Sequence, residues 1–256
     1  MSAELDGQVA LITGGTMHIG QAAAVRLAQR GATVIVNGRN EGAGRETVEL
    51  IRGEGGEAFF EKTDLTLPDE VAAMADRVAA QHGRIDILVA SGAGASPDSL
   101  PFKLFHKMEP ADYEAYIRSH WLTRAYAIRA VLPHMQRQNE GKIINITTDA
   151  GRVPTVGESF IGGAAAGLIL MSRVLARELG RWGIRVNCIA TSVVPDAPVR
   201  WPMFEGERMG AKLRERMMFE VSRWHIADMV VHLAGPGGDA ITGQTISVNG
   251  GISFPG

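Results

Sequence analysis

Short runs of consecutive apolar residues alternate with longer stretches in which apolar positions recur every three to four residues, from one end of the chain to the other. The short runs predict strands at Val9–Thr13, Thr33–Asn37, Ala58–Glu61, Ile87–Ala90, Lys142–Ile146, Arg185–Ile189 and Thr245–Val248. The periodic stretches predict helices at Gln21–Arg30, Gly42–Gly53, Pro68–Gln81, Pro110–Gln138, Glu158–Gly180 and Gly210–Ala234. Seven strands alternating with six helices predict an α/β architecture, a doubly wound, seven-stranded parallel sheet with helices on both faces. Right-handed crossovers then place the loops that follow the strands along one edge, where they converge on a ligand crevice.

The length, 256 residues, suits one core, so a single domain over residues 1–256 is expected. The least regular stretch, Thr191–Gly210, holds three prolines and two glycines and reads either as a lid or as a plain surface loop. With a formal net charge of −2 and no basic run, the chain offers no face for nucleic acid. It lacks a run of eighteen apolar residues and a basic start followed by an apolar stretch, so a cytoplasmic protein with no membrane span is expected. The one cysteine, Cys188, excludes an internal disulfide and reads as a buried, inert thiol. Metal binding has no support, because HExxH, CxxC and close histidine pairs are missing.

The first strand runs into Thr13-Gly14-Gly15-Thr16-Met17-His18-Ile19-Gly20 and then a helix, a context in which glycines let the backbone approach a phosphate. This stretch resembles the TGxxxGxG turn of the short-chain dehydrogenase/reductase family. "DILVASGAG", "RVNCIATSVV" and "ITGQTISVNGG" resemble further motifs of that family, in the same order along nearly the whole chain. The resemblance implies a Rossmann-like fold and a nucleotide site formed by Gly14, Thr16, Ile19, Gly20, Arg39, Asp64, Leu65 and Ser91. Arg39 is where it would place selectivity for the 2′-phosphate, so NADP is favoured over NAD, with no dinucleotide as the alternative. His18 stands where the family has a glycine.

The family's reaction uses a tyrosine, a lysine four residues on, a serine and an asparagine. The resemblance puts Ile161, Ala165, Thr148 and His120 at those places. The last tyrosine is Tyr126 and no lysine lies between Lys142 and Lys212, so a shifted alignment does not restore the pair. Other polar residues on the loops at the crevice are Ser91, His106, Asp149, Arg152, Glu158, Ser192 and Asp196. Imidazole titrates near neutrality, which makes His120 the favoured acid–base candidate beside the Thr148 hydroxyl. Asp149 reads as a cap or as a carboxylate orienting His120, and Glu158 as a first-turn helix residue.

Three functions follow as expectations. The first is a non-catalytic subunit, a pseudoenzyme within a dehydrogenase oligomer. The second is a lyase, dehydratase or dehalogenase acting through His120 and Thr148 on a small-molecule ligand. The third is an atypical NADP-dependent oxidoreductase. The two long helices, Pro110–Gln138 and Glu158–Gly180, resemble those through which family members pair, so a homo- or hetero-oligomer, dimer or tetramer, is expected.

Overall fold

Strands whose side chains are apolar on both faces occupy the middle of the sheet. In the computed structural model, which describes residues 4–94, 103–197 and 215–255, β1 (Val9–Thr13) and β4 (Ile87–Ala90) are buried at every position. β2 (Thr33–Gly38), β5 (Gly141–Thr148) and β6 (Ile184–Thr191) are buried over most of their length. The polar-faced β3 (Glu57–Lys62) and the short β7 (Thr245–Ser247) form the two edges. All seven pair in parallel, in the order β3-β2-β1-β4-β5-β6-β7. The chain is therefore a Rossmann-like doubly wound α/β domain, and its strand order reverses direction between β1 and β4, where such folds open a crevice.

Helices cover both faces. α1 (His18–Ala28), α2 (Glu41–Gly53) and α7 (Arg223–Ala234) bury their apolar stripes against one side. α3 (Pro68–His82), α4 (Pro110–Ile117), α5 (Thr123–Gln138) and α6 (Ser159–Leu179) are associated with the other. By length and composition the stretch Ser159–Trp182 would cross a membrane, yet it carries a row of buried residues from Ile161 to Leu179 that packs on the sheet and its neighbours.

Three boundaries differ from those expected. α1 starts at His18, not Gln21, because the glycine turn feeds straight into the helix. The single helix expected over Pro110–Gln138 is interrupted by a π turn at Arg118–Leu122. There the Ser119 carbonyl accepts hydrogen bonds from Thr123 Oγ1 (2.9 Å) and Arg124 Nη1 (2.9 Å), side-chain donors that draw it out of the regular ladder. The helix expected from Gly210 is an ordered α7 from Arg223, after a non-helical segment at 217–222, and residues 210–214 lie outside those described. The same holds for 198–210 of the expected lid.

At the amino end of the sheet, buried Asp86 accepts a hydrogen bond from Val9 N (2.8 Å) and another from Arg84 Nε (2.7 Å), pinning the start of β1 to the start of β4. Asp86→Ala leaves the Val9 N–H buried without a partner and is expected to cost about 2 kcal/mol, read as a lower midpoint of urea unfolding.

Candidate functional site

The turns after β1 and β4 meet at the reversal of strand order, and they meet as bare backbone. Gly14 has φ of 66°, and a Cβ there would lie 2.4 Å from Gly92 Cα. A Cβ on Gly20 would lie 2.1 Å from the Gly14 carbonyl oxygen. No residue larger than glycine fits this junction, so the loop 14–17 lies tight against the start of α1. Met17 precedes the helix without capping it and the first turn holds no acidic residue, so its orphan N–H groups and positive dipole end remain available to an anion. Thr16 and Ile19 are half-buried beside this end. His18 opens the helix at φ 50°, in the left-handed region that favours glycine, and burial together with Arg223 lowers its pKa.

Flanking this cradle, exposed Arg39 follows β2 and donates to the Gly94 carbonyl (3.3 Å), with Asp64 Oδ2 at 3.9 Å. Asp64 is itself fixed, since its Oδ1 accepts from Thr66 N (2.9 Å) and Oγ1 (2.8 Å). Leu65 is buried and packs toward Gly92, and Ser91 stands half-buried between β4 and that turn. The eight residues expected at a nucleotide site thus come together along the carboxyl edge from β1 to β4. A closely approachable backbone, an uncapped helix start and an exposed guanidinium fit the phosphates of a dinucleotide.

On the other side of the reversal, Thr148 ends β5 with its Oγ1 accepting from Ala150 N (3.2 Å), which leaves its hydroxyl hydrogen free to donate. α6 packs closely on this turn. A Cβ on Gly162 would lie 2.6 Å from the Ala150 carbonyl oxygen, and one on Gly151 would lie 2.8 Å from Ala165 Cβ. Ile161 is buried with Met108 and Tyr116, and beside them the rings of Tyr113 and Phe160 stack at 4.3 Å and 6°. Ile161 and Ala165, where the resemblance would put a tyrosine and a lysine, are both buried in packed hydrocarbon.

His120 lies in the π turn, with Nδ1 3.3 Å from the Tyr116 carbonyl. Burial and the Arg124 guanidinium pull its pKa down to about 4, so the ring is neutral at neutral pH and does not titrate there as free imidazole would. Asp149 does not orient His120. It accepts from Arg152 Nη2 (2.7 Å), Ser247 Oγ (2.9 Å) and Asn249 Nδ2 (2.6 Å). Sequence reasoning missed this clamp, since only Asp149 and Arg152 had been singled out and Ser247 and Asn249 lie about a hundred residues away. His106 and Ser192 are exposed, and Asp196 accepts from Arg223 N (2.8 Å), so these three are not drawn into the Thr148 cluster. Glu158, beside the start of α6, has a pKa raised to about 7 by burial. Its carboxylate character near neutrality was not legible in sequence. Cys188 is buried and hydrogen-bonded to Ser172, and burial raises its pKa, as an inert thiol requires. Among the described residues no cluster of side chains suits a metal ion.

A family model described as short chain dehydrogenase matches residues 8–207. The chain is 33% identical over 252 residues to 3-oxoacyl-[acyl-carrier-protein] reductase FabG of Staphylococcus aureus, covering 95% of this chain and 97% of that one. It is 31% identical over 253 residues to cis-4-hydroxycyclohexanecarboxylate dehydrogenase of Sinomonas cyclohexanicum, covering 96% of each. Among solved structures, 7α-hydroxysteroid dehydrogenase complexed with NADH and 7-oxo glycochenodeoxycholic acid superposes with a TM-score of 0.86 at 27% identity, covering 98% of this chain and 96% of that one.

These matches overturn the expectation of a non-catalytic subunit, and with it that of a lyase or dehalogenase. Relatives that span nearly the whole chain are named as reductases and dehydrogenases. The physical reason is that two missing side chains on α6 say which groups do not move a proton; they do not say that none moves.

The depressed pKa of His120 has a measurable consequence for stability. The unfolded chain binds a proton at His120 below about 6.5 while the folded chain does so only near 4, so stability is fully present above 6.5 and is lost as pH falls toward 4. Urea unfolding at pH 4.5 and 7.5 is expected to show up to about 2.5 kcal/mol of this loss in the wild type, and its disappearance in His120→Asn.

Proposed function

Because the chain belongs to the short chain dehydrogenase family, we propose that it is a cytoplasmic oxidoreductase that binds a nicotinamide dinucleotide and interconverts a small apolar ketone and its alcohol. The carrying observation is the glycine junction at the reversal of strand order, where the uncapped start of α1 faces the crevice. Gly14, Thr16, Ile19 and Gly20 would hold the pyrophosphate, and Asp64, Leu65 and Ser91 the adenosine half. When bound, the nicotinamide supplies or takes up the hydride. Arg39 favours NADP over NAD, because its guanidinium is exposed at the end of β2 and held there by the Gly94 carbonyl and Asp64, and no carboxylate follows β2 directly to take a ribose hydroxyl.

The reading departs from the family's usual apparatus in the path of the proton, since Ile161 and Ala165 can neither carry a proton nor tune one. Thr148 would hold the substrate oxygen by a hydrogen bond from its hydroxyl, and neutral His120, anchored at the Tyr116 carbonyl, would keep one ring nitrogen for a further hydrogen bond. The stacked rings of Tyr113 and Phe160, the exposed ring of Phe105 and the packed Ile161 make this wall apolar, which supports a hydrocarbon-rich substrate. Along the outside of α6, Gly163, Ala166, Leu170 and Val174 form an exposed, mostly apolar row; Leu170 is 62% exposed. Such a row supports association with a second copy or with a sister chain through the α4–α5 and α6 helices.

Titration of nicotinamide fluorescence tests the cofactor. Arg39→Ala is expected to weaken NADPH about 30-fold, as loss of a charge-assisted hydrogen bond does, and to leave NADH nearly unchanged. Leu170→Glu is expected to yield a smaller species by light scattering, with the nucleotide affinity retained.

A further inference from the structure

If hydrocarbon fills the places of the usual proton-handling pair, the proton must come from elsewhere on the same wall. α6 presents one side to the turn after β5, and that side is fixed by contacts already described, since Gly162 lies over Ala150 and Ala165 lies over Gly151. Residues at i, i+3, i+4 and i+7 share a helix face. Stepping back one turn from Ile161 and Gly162 along this row reaches Glu158, whose carbonyl accepts from Gly162 N (2.6 Å). Glu158 therefore heads the row that faces the Thr148 turn, at its crevice end.

Its surroundings are those of a working acid. The side chain does not cap α6 and has no ion pair or hydrogen bond among the described residues, although a carboxylate at this end of a helix is ordinarily favoured. Of the titratable groups on elements packed near α6, His106 and Lys107 flank Met108 and are exposed to solvent, while Asp149, Arg152, Asp112, Tyr116 and His120 are engaged elsewhere or uncharged. Asp149 and Arg152 pair with each other and with Ser247. Asp112 pairs with Lys103, Tyr116 keeps its proton with a pKa raised to about 12, and His120 is neutral. Burial, uncompensated by a cation among the described residues, lifts the Glu158 carboxyl to about 7, where protonated and ionised forms coexist at neutral pH.

We propose that Glu158 is the proton donor and acceptor of this crevice, acting on the substrate oxygen that the Thr148 hydroxyl holds. This rests on the oxidoreductase reading above. In reduction the carbonyl carbon gains the hydride of the reduced nicotinamide, the C=O π pair moves onto oxygen, and that oxygen takes the proton of the Glu158 carboxyl. The carboxylate recovers a proton from solvent, so ketone, reduced nicotinamide and one proton become alcohol and oxidised nicotinamide. Oxidation runs the same steps backward, with the Glu158 carboxylate accepting the alcohol proton.

Two measurements test this. Carbon NMR of protein labelled at the glutamate carboxyls, wild type minus Glu158→Gln, is expected to reveal one carboxyl titrating near pH 7. Reduction of cyclohexanone, 4-oxocyclohexanecarboxylate, acetophenone and 1-indanone by NADPH is then followed from pH 5 to 9. Wild-type kcat is expected to fall above about pH 7; Glu158→Gln is expected to lose roughly 100-fold in kcat together with that limb, with KM and NADPH affinity unchanged, and Glu158→Asp to recover part of the rate. A Glu158→Gln enzyme that keeps the wild-type rate and pH profile, or a Glu158 carboxyl that titrates below 5, overturns the role of Glu158 and leaves the oxidoreductase reading standing. A wild type that binds neither nicotinamide nucleotide and reduces none of the four ketones overturns the oxidoreductase reading itself.

Discussion

Where Gly14, Gly20 and Gly92 come together, three backbone segments approach more closely than any side chain permits. This contact joins the exit of β1, the start of α1 and the exit of β4, the three elements that frame the reversal of strand order. Because the sheet is parallel, every later loop takes its position from that point along the same edge. The spacing between the cradle and the Thr148 turn is then set by β4 and β5 pairing in register from Ile87 with Lys142 to Ala90 with Asn145.

The crevice so framed has two unlike halves. One half is backbone amides, a helix end and an exposed guanidinium, suited to anionic ligands. The elements beyond the reversal are aromatic and aliphatic, and carry the Thr148 hydroxyl, the neutral imidazole of His120 and the Glu158 carboxyl, which has no ion pair among the described residues. Low local polarity governs the two titratable groups, since the same desolvation that strips the proton from His120 keeps one on Glu158. Removing water from a weak acid and a weak base moves them in opposite directions along the pH scale.

Much of this was legible in the sequence, for a reason that particular residues make plain. Val9–Thr13 and Ile87–Ala90 were found to the residue because strands buried on both faces are apolar throughout, with sharp polar ends. The tight junction at Gly14 and Gly20 was legible because it depends on local backbone and chain order. The break in the long helix was not, since it depends on Thr123 and Arg124 bonding to one carbonyl. Nor was the ionisation of His120 and Glu158, because desolvation is a property of the packed neighbours, which periodicity does not reveal. The inference from Ile161 and Ala165 to missing activity failed on other ground: relatives spanning nearly the whole chain are named as reductases and dehydrogenases, and two side chains do not exhaust the groups a folded crevice brings together.

The clamp on Asp149 carries a consequence for synthesis. Its carboxylate is held by Ser247 and Asn249, 98 and 100 residues downstream, and Asn249 in turn binds Ser253. A ribosome adding residues at roughly ten per second would deliver Asn249 on the order of ten seconds after Asp149. Throughout that interval β1 to β5 can already pair and Arg152 can already neutralise the Asp149 carboxylate, yet the turn bearing Thr148 lacks the two neutral donors that fix it to the C-terminal segment. The nascent chain thus closes its glycine junction first and fixes the turn bearing Thr148 last, once its C-terminal segment has docked.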